Sequence, residues 1–178
     1  MNKLLKGCLA TLALTAGMLF FDIHSTENQL ANDDCPFCDP KILDDQKFYE
    51  DELVVALYTH KPIFPGHVLI IPKNHAERFE MLSEAEITQI GRVIKKVNKA
   101  VEKVFGTSSY LLLQKNGKEV GQSVPHVHFH YIPRQAGEDS TLYFLLKMYI
   151  ANFGDPINSN EMKELVEKMK MAIEDNAQ

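Results

Sequence analysis

The chain contains the stretch Gly121-Gln-Ser-Val-Pro-His-Val-His-Phe-His-Tyr-Ile-Pro-Arg134, in which three histidines alternate with apolar residues. Side chains of a β-strand point alternately to its two faces. The alternation predicts a strand over His126–Ile132 that holds all three imidazoles on one face and packs its apolar residues into a core. Core packing does not require three titratable side chains on one face, so this stretch is the first candidate for a functional site.

The segments around this strand predict an α+β fold. Further strands are predicted by the apolar runs Leu53–Tyr58, His67–Ile71 and Tyr110–Gln114. A long helix is predicted over residues 83–105, where apolar residues recur every three or four positions after a Ser83/Glu86 capping box. A final helix begins at about Glu161. We expect an antiparallel sheet with the long helix packed on it and a C-terminal helical extension.

The composition and the N-terminal segment limit the classes of protein to which the chain can belong. A chain of 178 residues with a formal net charge of -5 fits one domain, and the negative charge argues against nucleic-acid binding by counterion release. Residues 1–25 resemble a signal peptide or membrane anchor, because lysines precede a 15-residue apolar run, Gly7–Phe21. We expect export or membrane anchoring through this segment, with an inert leader on a cytoplasmic protein as the alternative. Residues 26–34 are predicted to be a linker and residues 35–178 the domain, with a core over 35–134 and an extension over 135–178.

Two chemistries could use the three imidazoles. Three neutral histidines can hold a catalytic zinc ion, and one imidazole can act as a nucleophile towards phosphorus. The neighbouring Gly121-Gln-Ser123 favours the second chemistry, because an amide, a hydroxyl and backbone N–H groups suit a phosphate better than a metal. No carboxylate lies close in sequence to orient a metal-bound histidine.

The stretch His126-Val-His-Phe-His-Tyr-Ile132 resembles the signature of the histidine-triad family, His-φ-His-φ-His-φ-φ with φ apolar. The resemblance runs from Cys35 to Arg134. It includes Pro65-Gly-His-Val-Leu-Ile-Ile-Pro-Lys-Asn-His75 and Asn116-Gly117 in the family's order. Glu77-Arg-Phe79 and the long C-terminal helix are most similar to the fragile-histidine-triad branch, which cleaves dinucleoside polyphosphates. The resemblance implies a histidine-triad fold and, in most members, a homodimer, for which the apolar stripe of the long helix is one candidate interface.

The resemblance also implies roles for individual residues. His128 matches the nucleophile that forms a nucleotidyl-histidine intermediate, flanked by His126 and His130. The remaining matches are to residues that contact the scissile group, the phosphates or the ribose: Gln122, Ser123, His67, Thr59, Lys115 and Asn116. Two of these depart from the family pattern, since Thr59 stands where Asp or Asn is usual and Lys115 where Asn or Gln is usual. No cofactor is implied for the chemistry.

The pair Cys35-Pro-Phe-Cys38 has three interpretations. With His75 and His126 it supplies the ligand types of a structural zinc site, as in relatives that carry a C-x-x-C near the start of the domain. In an exported protein the pair could form a disulfide or a redox motif, and it could also be two packed thiols. If His126 binds zinc, it is removed from the chemistry.

Three functions remain open from the sequence. The first is a nucleotide hydrolase or nucleotidyl transferase that acts on the α-phosphate of dinucleoside polyphosphates or nucleoside phosphoramidates. The second is a nucleotide-binding module in which Thr59 and Lys115 have abolished turnover. The third is a metal-dependent hydrolase whose metal is held by the three histidines. In each case the expected partner is a small-molecule substrate and not a nucleic acid, and membrane contact is expected only through an uncleaved N-terminal segment.

Overall fold

The computed structural model describes residues 35–135, 137, 140–150 and 154–175. Contacts divide the chain after Cys35, and all elements described below belong to the unit Pro36–Gln178. In chain order they are α1 (Pro40–Gln46), β1 (Lys47–Glu50), β2 (Val54–Tyr58), β3 (Val68–Pro72), α2 (Glu84–Phe105), β4 (Tyr110–Gln114), β5 (Phe129–Pro133), α3 (Thr141–Ile150) and α4 (Ser159–Asp175). The predicted signal or anchor segment 1–25 and the linker 26–34 lie outside the described residues. Within the described part, no helix has the length and apolar character to cross a membrane.

The five strands form one sheet in the order β1-β2-β3-β5-β4, and every pairing is antiparallel, which confirms the predicted antiparallel sheet. Strand β5 lies between β3 and β4, and His130 pairs with Leu69 on one side and Leu113 on the other. The strand predicted over His126–Ile132 begins later, at Phe129. Its first part leaves the ladder because the backbone N–H of Val127 donates to the carbonyl of Ala76 at 2.7 Å, outside the sheet.

The helix α2 has the predicted limits. Ser83 caps its start, and the capping box with Glu86 is present in both directions. The helix ends at Gly106, whose φ of 75° places it in the left-handed conformation favoured at this position. The apolar stripe of α2 packs on β2, β3 and α4. That stripe is therefore core, and it is not available as the interface that the sequence left open.

Alternation along the strands separates two apolar layers. Val54, Ala56 and Tyr58 of β2 face the layer that contains α2 and α4. Val55 and Leu57 face the opposite side, where Phe37 and Leu43 cover them. His130 and Ile132 of β5 also face that second side, which is covered by α1 at one end and α3 at the other. The histidines therefore lie on the face that the long helix does not cover.

Three elements were not predicted. Helix α1 was not predicted because its segment is short and acidic. It begins after an Asp39 cap, with Pro40 as its first residue. Strand β1 has only four residues, KFYE, at the edge of the sheet, which is too short to show a period. The aromatic-rich segment after residue 141 is helix α3, which is apolar on most sides and therefore lacks the stripe that identifies an amphipathic helix.

Candidate active site

The three histidines of the signature do not share one environment. His128 and His130 line a pocket of about 850 Å³ on the face of the sheet between α1 and α3. His126 is fully buried, does not line that pocket, and lies against the cysteine pair. The expectation that all three imidazoles face one site is therefore not met by His126, because its ring is bonded to the carbonyl of Pro72 and faces the cysteine pair.

The hydrogen bonds of His128 assign its tautomer. Its Nδ1 lies 2.7 Å from the carbonyl oxygen of His126, and a carbonyl only accepts hydrogen bonds, so Nδ1 carries the proton. In the neutral ring the lone pair is then on Nε2. Burial lowers the pKa of His128 below its ordinary 6.5, the bond to the His126 carbonyl raises it, and the charge of Lys115 lowers it further. At pH 7 His128 is therefore neutral and carries a free lone pair in the pocket wall.

A second pair of histidines lies beside it. Nδ1 of His67 accepts a hydrogen bond from the backbone N–H of Ile63 at 3.2 Å. The neutral ring of His67 therefore carries its proton on Nε2, which donates to Nδ1 of His130 at 3.0 Å. His130 consequently keeps its own proton on Nε2. Burial lowers the pKa of both histidines to about 3. The charge of His130 adds to the effect on His67, and the charges of His128 and Lys115 add to the effect on His130.

The remaining predicted substrate residues fall into two groups. Thr59, Lys115 and Ser123 line the pocket together with His67. Asn116 and Gln122 do not, among the lining residues that the structure describes. Their amides instead fix the loop that joins β4 to β5.

This loop is held by hydrogen bonds from both amides. The Gln122 side chain accepts from the backbone N–H of Gly117 at 2.6 Å and donates to the carbonyl of Glu77 at 2.8 Å. The Asn116 side chain accepts from the backbone N–H of Phe79 and donates to Glu80, both at 2.8 Å. Both amides therefore hold the loop that carries Lys115 and Ser123, and we assign them to the positioning of these two residues.

The cysteine pair and two histidines form a compact cluster. Cys35, Cys38, His75 and His126 each offer one ligand atom, and these atoms lie within 4.8 Å of one another. The Sγ of Cys38 is 3.5 Å from Nδ1 of His75 and 3.6 Å from Nδ1 of His126. In a tetrahedral zinc site, bonds of about 2.3 Å to sulfur and about 2.0 Å to nitrogen separate these ligand atoms by about 3.5 Å. Both cysteines are thiols in the structure, and no disulfide joins them.

Two further observations fit a metal at this cluster. The Nε2 of His126 lies 2.9 Å from the carbonyl oxygen of Pro72 and donates to it, which leaves the Nδ1 lone pair directed at the cysteines. The Nε2 of His75 is buried without a hydrogen-bond partner among the described residues. The other ring nitrogen of His75, Nδ1, faces the Sγ of Cys38 and is the one that can bind a metal.

The sequence did not identify two parts of the pocket. Phe37 lies between the two cysteines in the sequence. Its ring centroid is 5.1 Å from that of His128 and 6.0 Å from that of His126. Helix α3 contributes Leu145, Met148 and Tyr149 to the wall. The position of Phe37 within C-x-x-C was a usable signal once the cysteines were assigned to a cluster with His126. The sequence of helix α3 gave no signal of a role in the pocket beyond its aromatic composition.

The chain was compared with protein families, with known protein sequences and with solved structures. The family described as "HIT domain" matches residues 41–137. The bis(5'-nucleosyl)-tetraphosphatase (asymmetrical) of Schizosaccharomyces pombe is 41% identical over 95 residues, which are 53% of this chain and 52% of that protein. The chain thus spans about half the length of this relative.

Two further relatives are covered over most of their length. The adenosine 5'-monophosphoramidase hnt1 of the same organism is 36% identical over 127 residues, which are 71% of this chain and 87% of that protein. A solved structure described as a hypothetical histidine triad nucleotide-binding protein of Sulfolobus tokodaii superposes with a TM-score of 0.64 at 25% identity. The superposition covers 79% of this chain and 93% of that one.

Proposed function

Because the chain belongs to the histidine-triad (HIT) family and is most like its fragile-histidine-triad branch, we propose that it is a nucleotide hydrolase or nucleotidyl transferase. It acts on the α-phosphate of dinucleoside polyphosphates or nucleoside phosphoramidates through a covalent intermediate on His128. One observation carries this proposal: the bond from Nδ1 of His128 to the His126 carbonyl leaves the Nε2 lone pair available in a pocket. The names of the yeast relatives, a tetraphosphatase and a phosphoramidase, support the two substrate classes.

In the first step, Nε2 of His128 attacks the α-phosphorus. A nitrogen–phosphorus bond forms while the bond to the leaving group breaks, and the electron pair of that bond stays on the leaving atom. A leaving phosphate or sulfate departs as an anion, and a leaving amine takes up a proton from solvent. The imidazole becomes positively charged, and the His126 carbonyl stabilises that charge through the Nδ1–H bond.

In the second step, water attacks the same phosphorus. An oxygen–phosphorus bond forms, the nitrogen–phosphorus bond breaks, and its electron pair returns to Nε2 of His128 while a proton goes to solvent. His130 presents an Nε2–H that can donate to a phosphate oxygen in both steps, because its Nδ1 is occupied by His67. The pair His67–His130 therefore holds a neutral donor beside the nucleophile.

Other pocket residues bind the rest of the nucleotide. We assign the hydroxyl of Ser123 to the α-phosphate and that of Thr59 to the ribose, since both residues line the pocket. The apolar wall of α1 and Phe37 faces the same space and suits the base. A pocket of about 850 Å³ is within the range that encloses a ligand of nucleotide size.

We further propose that Cys35, Cys38, His75 and His126 hold a structural zinc ion. Zinc would bind the segment around Phe37 to the start of β5 and so fix Phe37 against His128. The metal plays no part in the steps above, since the nucleophile and the donor are side chains of the pocket. Metal analysis of the purified chain should find about one zinc per chain, and Cys38→Ser should lose it together with several degrees of Tm. Wild-type protein without zinc, or a Cys38→Ser variant that retains it, would contradict this assignment.

We also propose that the protein is a homodimer that pairs through β4. This strand is at the edge of the sheet, and its Tyr110, Leu111 and Leu112 are between 36% and 42% exposed. An apolar edge strand is a template for pairing with another strand, and a second copy of the same edge can satisfy it with twofold symmetry.

The test of the catalytic proposal is nucleotide release from a panel of dinucleoside polyphosphates and nucleoside phosphoramidates by wild type and His128→Ala, with and without brief exposure to EDTA. We expect turnover that His128→Ala reduces at least about a thousandfold, because the substitution removes the proposed nucleophile. EDTA should leave the initial rate unchanged. Immediate loss with EDTA would favour the metal-dependent hydrolase, and tight nucleotide binding without turnover would favour the binding module.

A further inference from the structure

Lys115 is the one departure from the family pattern that adds a charge to the pocket. It directly follows β4, in which Leu113 pairs with His130 and Gln114 with Phe129. Continuing this register by one residue sets Lys115 opposite His128. Residues two apart on a strand share a face, so Lys115 lies on the same side of the sheet as Leu113 and the pocket. Lys115 indeed lines the pocket with both histidines.

The charge of Lys115 reaches the histidines of the pocket. It adds to the lowering of the pKa of His130, after the larger effect of burial. The side chain is half-buried, and no carboxylate of the described residues forms an ion pair with it. A positive charge beside neutral imidazoles, without a carboxylate partner, stabilises an anion placed at the same point.

The absence of a side chain at Gly121 leaves room for the Lys115 side chain beside the loop that joins β4 to β5. A methyl group at Gly121, which has a φ of +80°, would lie 3.5 Å from the Lys115 ammonium. The ammonium of Lys115 therefore lies beside the loop that carries Ser123, and both residues line the same pocket. The amides of Asn116 and Gln122 hold that loop, as described above.

The leaving groups of the two substrate classes differ in charge. A phosphate chain or a sulfate leaves with additional negative charge on its oxygen, whereas an amine leaves without negative charge. An ammonium group donates charge-assisted hydrogen bonds to an oxyanion and has no acceptor to offer an amine. A neutral Asn or Gln in this place interacts with both kinds of leaving group.

We propose that Lys115 makes the enzyme selective for substrates whose leaving group is an anion, a phosphate chain or a sulfate, over nucleoside phosphoramidates. This proposal rests on the proposed function, since it concerns the leaving group of the same reaction. Lys115 acts by stabilising the charge that develops on the leaving oxygen as its bond to the α-phosphorus breaks.

The test compares two substrates that share the adenylyl group, a diadenosine tetraphosphate and adenosine 5'-phosphoramidate, in the full-length protein. The variants are Lys115→Gln, which restores a neutral amide, Lys115→Arg, which keeps the charge, and Lys118→Gln. Lys118 is an exposed lysine three residues away that does not line the pocket, and it serves as the matched control. Values of kcat/KM are measured for both substrates, and Tm confirms that each variant is folded.

We expect Lys115→Gln to lower kcat/KM for the tetraphosphate about ten- to a hundredfold and to change that for the phosphoramidate less than about threefold. Lys115→Arg should keep most of the preference, and Lys118→Gln should keep all of it. Equal losses on both substrates, or no change on either, would overturn the role of Lys115 while leaving the proposed function intact. A wild-type protein that hydrolyses neither substrate would overturn both proposals.

Discussion

At the scale of single residues, three backbone groups, two carbonyls and one N–H, determine which ring nitrogen of each histidine carries the proton. The carbonyl of His126 fixes the proton on Nδ1 of His128, the carbonyl of Pro72 fixes it on Nε2 of His126, and the N–H of Ile63 excludes it from Nδ1 of His67. Each backbone group has one possible role in a hydrogen bond, so each tautomer follows from it. The positions of these protons suit His128 to the role of the proposed nucleophile, His126 to that of the proposed metal ligand, and His67 with His130 to that of the proposed donor pair.

The replacement of the usual Asp or Asn by Thr59 leads to a prediction about substrate affinity. Thr59 is 7% exposed and lines the pocket, and its hydroxyl reaches less far than an amide. Thr59→Asn should lower KM for nucleotide substrates about two- to tenfold with little change in kcat, because a ribose contact is equal in the ground and transition states. Steady-state kinetics check this, with Thr88→Asn on the exposed side of α2 as the matched control. An unchanged KM would mean that Thr59 does not contact the substrate.

The buried pair His67–His130 leads to a prediction about pH. Both have a pKa lowered to about 3 by burial, whereas the unfolded chain protonates near the ordinary 6.5. Below pH 6.5 the unfolded state binds more protons, so the free energy of unfolding falls as pH falls from about 6.5 to about 3, by up to about 1.4 kcal/mol per pH unit for each group. Urea unfolding at pH 7.0 and 5.0 measures this change. Between these two pH values the free energy of unfolding should fall less in His67→Gln than in wild type. Equal losses in both proteins would contradict the assignment of His67 as a neutral buried base.

At the scale of elements, the site is built where two strands and two connections meet. His67, directly before β3, lies beside His130 of β5, and the loop after β4 brings Lys115 and Ser123 to the same pocket. Helix α3 is anchored there by Phe144, which stacks on Phe64 with ring centroids 5.2 Å apart. The turn before β3 is correspondingly constrained, because Tyr58 accepts a hydrogen bond from the backbone N–H of Gly66 at 3.0 Å.

Two glycines allow a matched test of that turn. A methyl group at Gly66, which has a φ of +84°, would lie 2.9 Å from the ring of Phe105 and 3.0 Å from Pro133. Gly66→Ala should therefore lower the free energy of unfolding by about 2 kcal/mol. Gly91, inside α2, has open space, and Gly91→Ala should raise it by up to about 1 kcal/mol. Chemical denaturation measures both, and a neutral Gly66→Ala would show that the turn relaxes freely.

Periodic elements could be predicted from the sequence, and elements fixed by tertiary contacts could not. Helix α2 and strand β4 were predicted with their observed limits, because capping, period and turn signals agree locally. The start of β5 was not, since it depends on a hydrogen bond to Ala76, fifty-one residues earlier in the chain. Of the residues assigned to the site from the sequence, His128, His130, His67 and Ser123 line one pocket, whereas Gln122 and Asn116 hold a loop. An amide gives no local signal of whether its partner is the backbone or a ligand.

At the scale of the whole molecule, the two faces of the sheet serve different purposes. One face packs against α2 and α4 and forms the main core, and the other holds the pocket between α1 and α3. The cysteine–histidine cluster adjoins the pocket through Phe37. The edge strand β4 leads directly into the loop that carries Lys115, so a partner bound at this edge would lie close to the active site.

The β4 interface can be tested by the molar mass in solution. Wild type should be a dimer by light scattering, and Leu112→Lys should be a monomer, because a charge on the edge strand opposes strand pairing. Leu142→Lys changes a leucine of α3 that is 77% exposed and should remain a dimer. A monomeric wild type, or a Leu112→Lys variant that stays dimeric, would show that β4 is not the interface.

The central claim, that His128 is the covalent nucleophile, is tested most directly by trapping the intermediate. Wild-type protein is mixed with a dinucleoside polyphosphate, quenched rapidly at alkaline pH where a phosphorus–nitrogen bond survives, digested, and mapped by mass spectrometry. We predict one nucleotidyl group on the peptide that contains His128, and none in His128→Asn. A nucleotidyl group on a different residue, or wild-type turnover by His128→Asn, would contradict the account.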